Sequence, residues 1–336
     1  MSLYSRTRKQ LSIARVATVL TLCLVAPSAI AQSAWKPERT VEIVVGASPG
    51  GGTDITARVL QKIFKDEGLI ETSVVVNKPG GSHTLAWAYL DQHEGDPHYV
   101  SIVNEPLVTN RMIGVSPKSY RDYTPLSVLF SEYMVFVVQP GSPIKNGQDL
   151  LARLKADATS LTIGFASARG NNAHFSIGLA AKAAGVNLGQ LKTVIFKSGG
   201  ESLTALLGGH VNVGVNPVAS AIGHINAGRL RVLAVTSPTR LGGVLANVPT
   251  WKEQGADFTY GSWRVAFGPR GLKPEHIAFW EQAFKRVLAS DAWKQELDKR
   301  QQTTTFHSAA ETRKFLEAEE ERLRPVVAEL GLVKKK

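Results

Sequence analysis

The stretch from Val41 to Leu60, VEIVVGASPGGGTDITARVL, constrains the fold more than any other part of the chain. Val41–Val45 is a β-branched apolar run and reads as a buried strand. Residues 46–52 form a loop with four glycines, and Thr53 or Asp54 can cap a helix starting at Ile55 and stopping near Gly68. A strand, a glycine loop and a capped helix direct free backbone N–H groups and the positive helix end at one point, which suits an anion. The unit recurs at Ser73–Asn77, Leu161–Ala166 and Thr193–Lys197, each followed by a small polar loop and a helix. Four such units predict an α/β protein whose loops gather at the strand carboxyl ends, where ligands bind. Two lie early and two in the middle, so two sheets are expected to face each other across a cleft.

The first residues read as an export signal. Arg6, Arg8, Lys9 and Arg15 precede an apolar run, and Ala29-Ile30-Ala31 is a cleavage site, leaving residues 1–31 as the signal peptide. The run is too short for a membrane anchor. The only cysteine, Cys23, lies inside it, so a mature chain without disulfides is expected. Cleavage lowers the formal charge from +11 to +7, three of which are the terminal lysines. Nucleic acid is not an expected partner, since export and the lack of a dense basic-aromatic cluster both argue against it. Mild basicity fits an acidic ligand.

Further along, His98–Val103 is a strand ending at Asn104, which faces the expected cleft, although a turn residue is the plainer reading. Arg111–Pro125 reads as loop and short helix. Met134–Val138 and Trp263–Phe267 are strands suited to crossing between two domains. The third unit's loop is dense in polar groups: Ser167, Arg169, Asn171 and Asn172, with His174 in the first helical turn. An arginine there can hold a carboxylate through two parallel hydrogen bonds. No second histidine or carboxylate sits at metal spacing, so neither a metal nor another cofactor is expected. Val211–Val215 is a strand ending at Asn216. Pro274–Leu288, Asp291–Arg300 and Ala309–Leu330 read as amphipathic helices, the last with a solvated acidic face of Glu317, Glu319, Glu320 and Glu321.

Gly46-Ala47-Ser48-Pro49-Gly50 matches the G-x-S-x-G pattern of a serine hydrolase. The residue after the serine must give a backbone N–H to the oxyanion hole, and Pro49 has none. The glycines do not fit a dinucleotide fingerprint either, so an enzyme is not expected.

Pro49-Gly50-Gly51-Gly52-Thr53-Asp54-Ile55-Thr56-Ala57-Arg58 resembles the opening motif of the Bug receptors, the TctC-like periplasmic solute-binding proteins of tripartite tricarboxylate transporters. Val76-Asn77-Lys78-Pro79-Gly80, Gly199-Gly200, the stretch from Gly228 to Thr236 and Val248-Pro249-Thr250 are similar to the same family, in order along the mature chain. The resemblance implies a type II periplasmic-binding-protein fold, two α/β domains joined by crossing strands with an interdomain ligand cleft. The domains would be 32–135 with 262–336, and 136–261. It implies a periplasmic monomer, without catalysis, that captures a small organic carboxylate for membrane transporter subunits. A ligand sensor serving a signalling partner is the alternative. Carried over by position, it points to Ser48, Gly50, Gly51, Gly52 and Thr53, with Asp54 as cap or contact, and to Gly81, Ser82 and His83. From the other side it points to Ser167, Arg169, Asn171, Asn172, His174, Ser198, Gly199 and Asn216. The family's second loop is usually rich in glycine where Ser82 and His83 stand, Arg169 often replaces glycine or serine, and Asn216 an aspartate. The last two changes make the cleft more positive, so a ligand with two acidic groups is expected, one on the first glycine loop and one near Arg169. Trp87, Tyr89, Phe175 and Trp263 could wall an aromatic ligand, although core is their plainer reading.

Overall fold

The computed structural model describes residues 35–166 and 169–333. The export signal with its cleavage site, the lysine tail and Ser167 lie outside the described residues.

In chain order the elements are β1 (Val41–Val45), α1 (Gly52–Asp66), β2 (Ser73–Asn77), α2 (Thr84–Asp91), β3 (Tyr99–Val103), α3 (Pro106–Met112), β4 (Thr124–Val138), α4 (Gly147–Ala156), β5 (Thr162–Ala166), α5 (Asn172–Ala183), β6 (Lys192–Phe196), α6 (Gly199–Leu207), β7 (Val213–Pro217), α7 (Val218–Asn226), β8 (Arg231–Val235), β9 (Gly261–Gly268), α8 (Pro274–Ala289), α9 (Asp291–Asp298), β10 (Thr303–Thr304) and α10 (Ala309–Glu329). The sheet order is β2-β1-β3-β9-β4-β7-β5-β6, with β8 and β10 also pairing with β4.

The register along β4 explains where a cleft forms. Its first part pairs antiparallel with β9, ending at Tyr133 opposite Gly261. Its last part pairs antiparallel with β7, beginning at Met134 opposite Pro217. β1 runs parallel to β2 and β3, and β5 runs parallel to β6 and β7. Because β3 is antiparallel to β9, the two parallel trios run in opposite directions. Their carboxyl ends both point at the Tyr133–Met134 junction, and two sets of strand-to-helix loops therefore meet there.

β4 runs for 15 residues, far beyond the strand expected at Met134–Val138, and it begins inside the stretch read as a loop. Pro125 marked a break, yet it sits where the β4–β9 register shifts, a place where a missing N–H costs no ladder bond. β1 is buried at four of its five positions, as a parallel strand covered on both faces should be. α1 buries Thr53, Thr56, Ala57, Leu60, Ile63 and Phe64 on one face, and Gly68, at φ +62°, follows its end.

α10 bridges the two halves of the sheet. Leu316 packs with Val44, Val103 and Val265, whereas Leu323, Val326 and Val327 pack with Ile163, Phe175 and Val213. Its acidic stretch is not wholly solvated: Glu319 and Glu320 are buried, at 7% and 8% exposure. Glu319 accepts from Trp263 Nε1 at 3.0 Å and from Arg322 at 2.6 Å. Glu320 accepts from Tyr120 Oη at 3.0 Å and Arg324 at 2.6 Å, and pairs with Arg121. Donors on other elements draw the carboxylates inward, which helical spacing alone does not reveal.

Candidate functional site

At the junction a cleft of about 380 Å³ opens between the loops. Of the residues expected there, Ser82, Asn104, Arg169, Asn171, Asn172, Gly199 and Asn216 line it. Arg169 is exposed. Asn171 caps α5 by accepting from His174 N–H at 3.0 Å.

Three asparagines in this lining hold buried amide atoms without partners. They are Asn104 Oδ1, Asn110 Oδ1 and both amide atoms of Asn216, which is 0% exposed. Asn110 spends its Nδ2 on Ser82 O at 2.8 Å, which ties α3 to the second loop. Buried amides left unpaired cost about 1–3 kcal/mol each, so these three leave the cleft with polar atoms free to meet a hydrogen-bonding group.

The other expected residues among those described are not in the lining of this cleft. Asp54, 1% exposed, accepts from Gly50 N–H at 2.8 Å, Asn77 Nδ2 at 2.8 Å and Arg58 Nε at 3.0 Å. It pins the first glycine loop, and α1 accordingly starts at Gly52 behind an N-cap at Gly51, not at a Thr53 or Asp54 cap. Burial alone would raise the pKa of Asp54, but hydrogen bonds from Arg58, Asn77 and Gly50 outweigh it and hold the carboxylate below its ordinary value. Ser48, Gly50, Gly51, Gly52 and Thr53 form this loop and the start of α1, and none of them lines the cleft. Gly81, Ser82 and His83 all have positive φ, of 55°, 53° and 73°. The two non-glycine residues store backbone strain of about 1–2 kcal/mol each. His174 is 5% exposed, accepts from Gly170 N–H at 2.9 Å and stacks on Phe165. Burial, with Arg169 nearby, lowers its pKa to about 4, which matches its acceptor role. Ser198 caps α6, accepting from Glu201 N–H at 3.2 Å. Trp87, Phe175 and Trp263 are core residues at 0–1% exposure, and Tyr89 donates to Glu42, so none of these four aromatics forms a cleft wall.

Glu105, Thr109, Asn110 and Ser220 line the cleft without having been anticipated. Glu105 is the most consequential. It is 1% exposed and accepts from Trp263 N–H at 3.2 Å. The Asn172 carboxamide, oriented by hydrogen-bond complementarity, donates to both its oxygens at 2.6 and 3.2 Å and accepts from Ser262 Oγ at 2.7 Å. This bridge joins β3–α3, α5 and β9 at the cleft floor. Burial pushes the Glu105 pKa up to about 7, with Arg264 opposing. The sequence carried a signal: an acid between a strand-ending asparagine and a helix-opening proline.

A family model described as the tripartite tricarboxylate transporter family receptor matches residues 56–332. The chain belongs to this TctC receptor family. Protein BugT of Bordetella pertussis is 27% identical over 300 residues, covering 88% of this chain and 90% of that protein. A TctC solute-binding protein from Polaromonas has the same fold, with a TM-score of 0.77 at 22% identity, over 88% of this chain and 99% of that one. A Rhodopseudomonas palustris protein whose structure is described with adipate matches at a TM-score of 0.71 and 26% identity, over 88% and 98% of the two chains. The type II periplasmic-binding-protein architecture expected from the sequence is thus the fold of this receptor.

Proposed function

We propose that this receptor captures a small organic carboxylate in the periplasm and presents it to the membrane subunits of a tripartite tricarboxylate transporter. The observation that carries the reading is the cleft itself. An exposed arginine, Arg169, faces a lining in which Asn104, Asn110 and Asn216 hold unpartnered amide atoms. An arginine fork holds a carboxylate, and amides serve its remaining oxygens and any hydroxyls. Adipate, named for the similar Rhodopseudomonas protein, is a dicarboxylate of this kind. The ligand closes the cleft by bringing 136–261 toward 32–135 and 262–336, with bending where β4 and β9 meet at Tyr133–Met134 and Gly261. Removal of residues 1–31 after Ala31 releases the working monomer. Ser48 is a loop residue in this reading, and hydrolysis has no support because Pro49 cannot furnish an oxyanion N–H.

The test is a thermal-shift screen of residues 32–336 against mono-, di- and tricarboxylates beside their amides. A ligand that binds only the folded state raises the melting temperature, by roughly 2.7 kcal/mol of stabilisation at a hundred times its Kd. A rise with one acid and none with its amide is expected. No rise with any carboxylate overturns the reading.

A further inference from the structure

At the cleft floor one pair of side chains joins the two halves of the sheet. Glu105 stands between β3 and α3, in the half built on β1, and Asn172 opens α5, in the half built on β5. Both line the cleft. The joint has two complete hydrogen-bonding arrangements that differ by one proton. With Glu105 ionised, the Asn172 amide nitrogen faces it, donating at 2.6 and 3.2 Å, and the amide oxygen accepts from Ser262 Oγ at 2.7 Å. With Glu105 protonated, the amide turns over. The carboxyl O–H then donates to the amide oxygen across the same 2.6 Å, and the amide nitrogen donates to Ser262 Oγ at 2.7 Å. A separation of 2.6 Å is ordinary for O–H···O and short for N–H···O. In either arrangement Glu105 keeps the Trp263 N–H at 3.2 Å. Only the ionised one buries a charge, on a residue that is 1% exposed.

The surrounding charges do not cancel that cost. Arg264 on β9 favours the carboxylate, yet its guanidinium is spent elsewhere. Its Nη1 donates to Ser262 Oγ at 3.1 Å and Trp263 O at 3.2 Å, and a methyl group built on Gly52 would lie 2.9 Å from Nη2. Glu319 on α10, itself paired with Arg322, opposes ionisation of Glu105. Tyr260, just before β9, stays neutral, its pKa raised by burial and then by Glu105. The α5 side brings the exposed Arg169 and the buried His174, whose pKa is lowered to about 4. α3 adds the exposed Arg111 in its last turn. Burial outweighs Arg264, and the Glu105 carboxyl is pushed up to about 7.

We propose that Glu105 is a positioning residue that couples closure of the cleft to uptake of a proton: closing seats the neutral carboxyl against Asn172, and opening to water parts the pair and releases the proton. The inference rests on the receptor reading and adds to it a proton bound together with the ligand. An anion held in the same lining places a like charge beside Glu105 and drives the uptake further. In the open cleft the carboxyl titrates at its ordinary 4.5, in the closed one at about 7. Uptake is therefore greatest between those values, and closure weakens as the pH rises through 7.

The test uses residues 32–336, which hold the whole described fold, first without ligand. NMR follows the Asn172 side-chain amide, assigned by its loss in Asn172→Ala, and small-angle scattering follows the radius of gyration. In the wild type the amide signal and the radius are expected to change together between pH 6 and pH 8, the radius growing. Glu105→Gln mimics the neutral carboxyl, so in it both are expected to stay still. Adipate is then added, and calorimetry in buffers of different ionisation enthalpy counts protons. At pH 6 the wild type is expected to take up close to one proton more than Glu105→Gln, and to bind adipate about tenfold tighter than at pH 8. Asn172→Ala, which removes the joint and keeps the acid, is expected to lose the extra proton as well. An Asn172 amide indifferent to pH, or equal proton counts in wild type and Glu105→Gln with adipate bound, overturns the proposal and leaves the receptor reading standing. Failure of the receptor reading looks different: the ligand-free change with pH persists, while neither adipate nor any other carboxylate binds.

Discussion

Glu105→Gln separates two opposed forces at the cleft floor. Burial at 1% exposure favours a neutral carboxyl, while Arg264 favours the carboxylate. Burial wins, and the folded pKa rises from 4.5 to about 7. The folded chain therefore keeps a proton that the unfolded chain releases above pH 4.5. By linkage, this contribution to stability is fully present below pH 4.5 and is lost as the pH rises through 7. A shift of that size corresponds to roughly 3 kcal/mol. Glutamine keeps the shape and the acceptor for Trp263 N–H but has no proton to lose. Relative to wild type, the variant should gain about 3 kcal/mol between pH 4 and pH 8. His83 and His174 act with the opposite sign. Both are lowered to about 4 by burial first, so their stabilisation is present above pH 6.5 and lost as the pH falls through 4. They are common to both proteins and cancel in the difference. Urea unfolding of both proteins at pH 4, 5, 6, 7 and 8 measures it. Parallel stability curves would refute the argument, and a difference of opposite sign would mean that Arg264 holds Glu105 ionised.

Three further outcomes are expected. In Gly46→Ala the new methyl would meet His83 Nδ1 at 2.4 Å and its Cα at 2.7 Å; the backbone neighbour cannot swing away, so urea unfolding should show a loss of about 1–3 kcal/mol. Asp54→Ala leaves Gly50 N–H without its acceptor and Asn77 Nδ2 with Ala47 O alone, and should lose about 2–4 kcal/mol at pH 7. Because its pKa is lowered from 3.8, the Asp54 contribution is present above that value and lost in acid, so the deficit should shrink in unfolding curves taken below pH 4. Arg169→Ala, at an exposed position, should leave the melting temperature unchanged and weaken calorimetric carboxylate binding about tenfold or more.

Local chemistry wrote much of the fold into the sequence. The β-branched runs VEIVV and SVVVN became β1 and β2 at the anticipated residues, β1 buried and β2 a half-exposed edge strand, because β-branched side chains favour the extended backbone in either place. Asn171 and Ser198, each at the mouth of a strand-to-helix loop, became the caps of α5 and α6. Arg169 and Asn216 could be singled out since polar groups in such loops have few structural uses. Glu105 and Arg264 were missed for the converse reason: each sits in or beside an apolar run, and their importance lies in partners far along the chain, as with the Trp263 N–H, 158 residues on, that Glu105 accepts.

The sequence by itself determined the strand–loop–helix units, the glycine loops and the receptor family, since each depends on residues adjacent along the chain. Tertiary structure alone decided that β4 runs unbroken through both halves of the sheet, that α10 buries Glu319 and Glu320, and that Arg264 lies against Gly52. Those outcomes follow from register and burial, which arise when distant segments pair. A charge in such a place takes its meaning from the dielectric and the partners around it, and these exist only after the chain has folded.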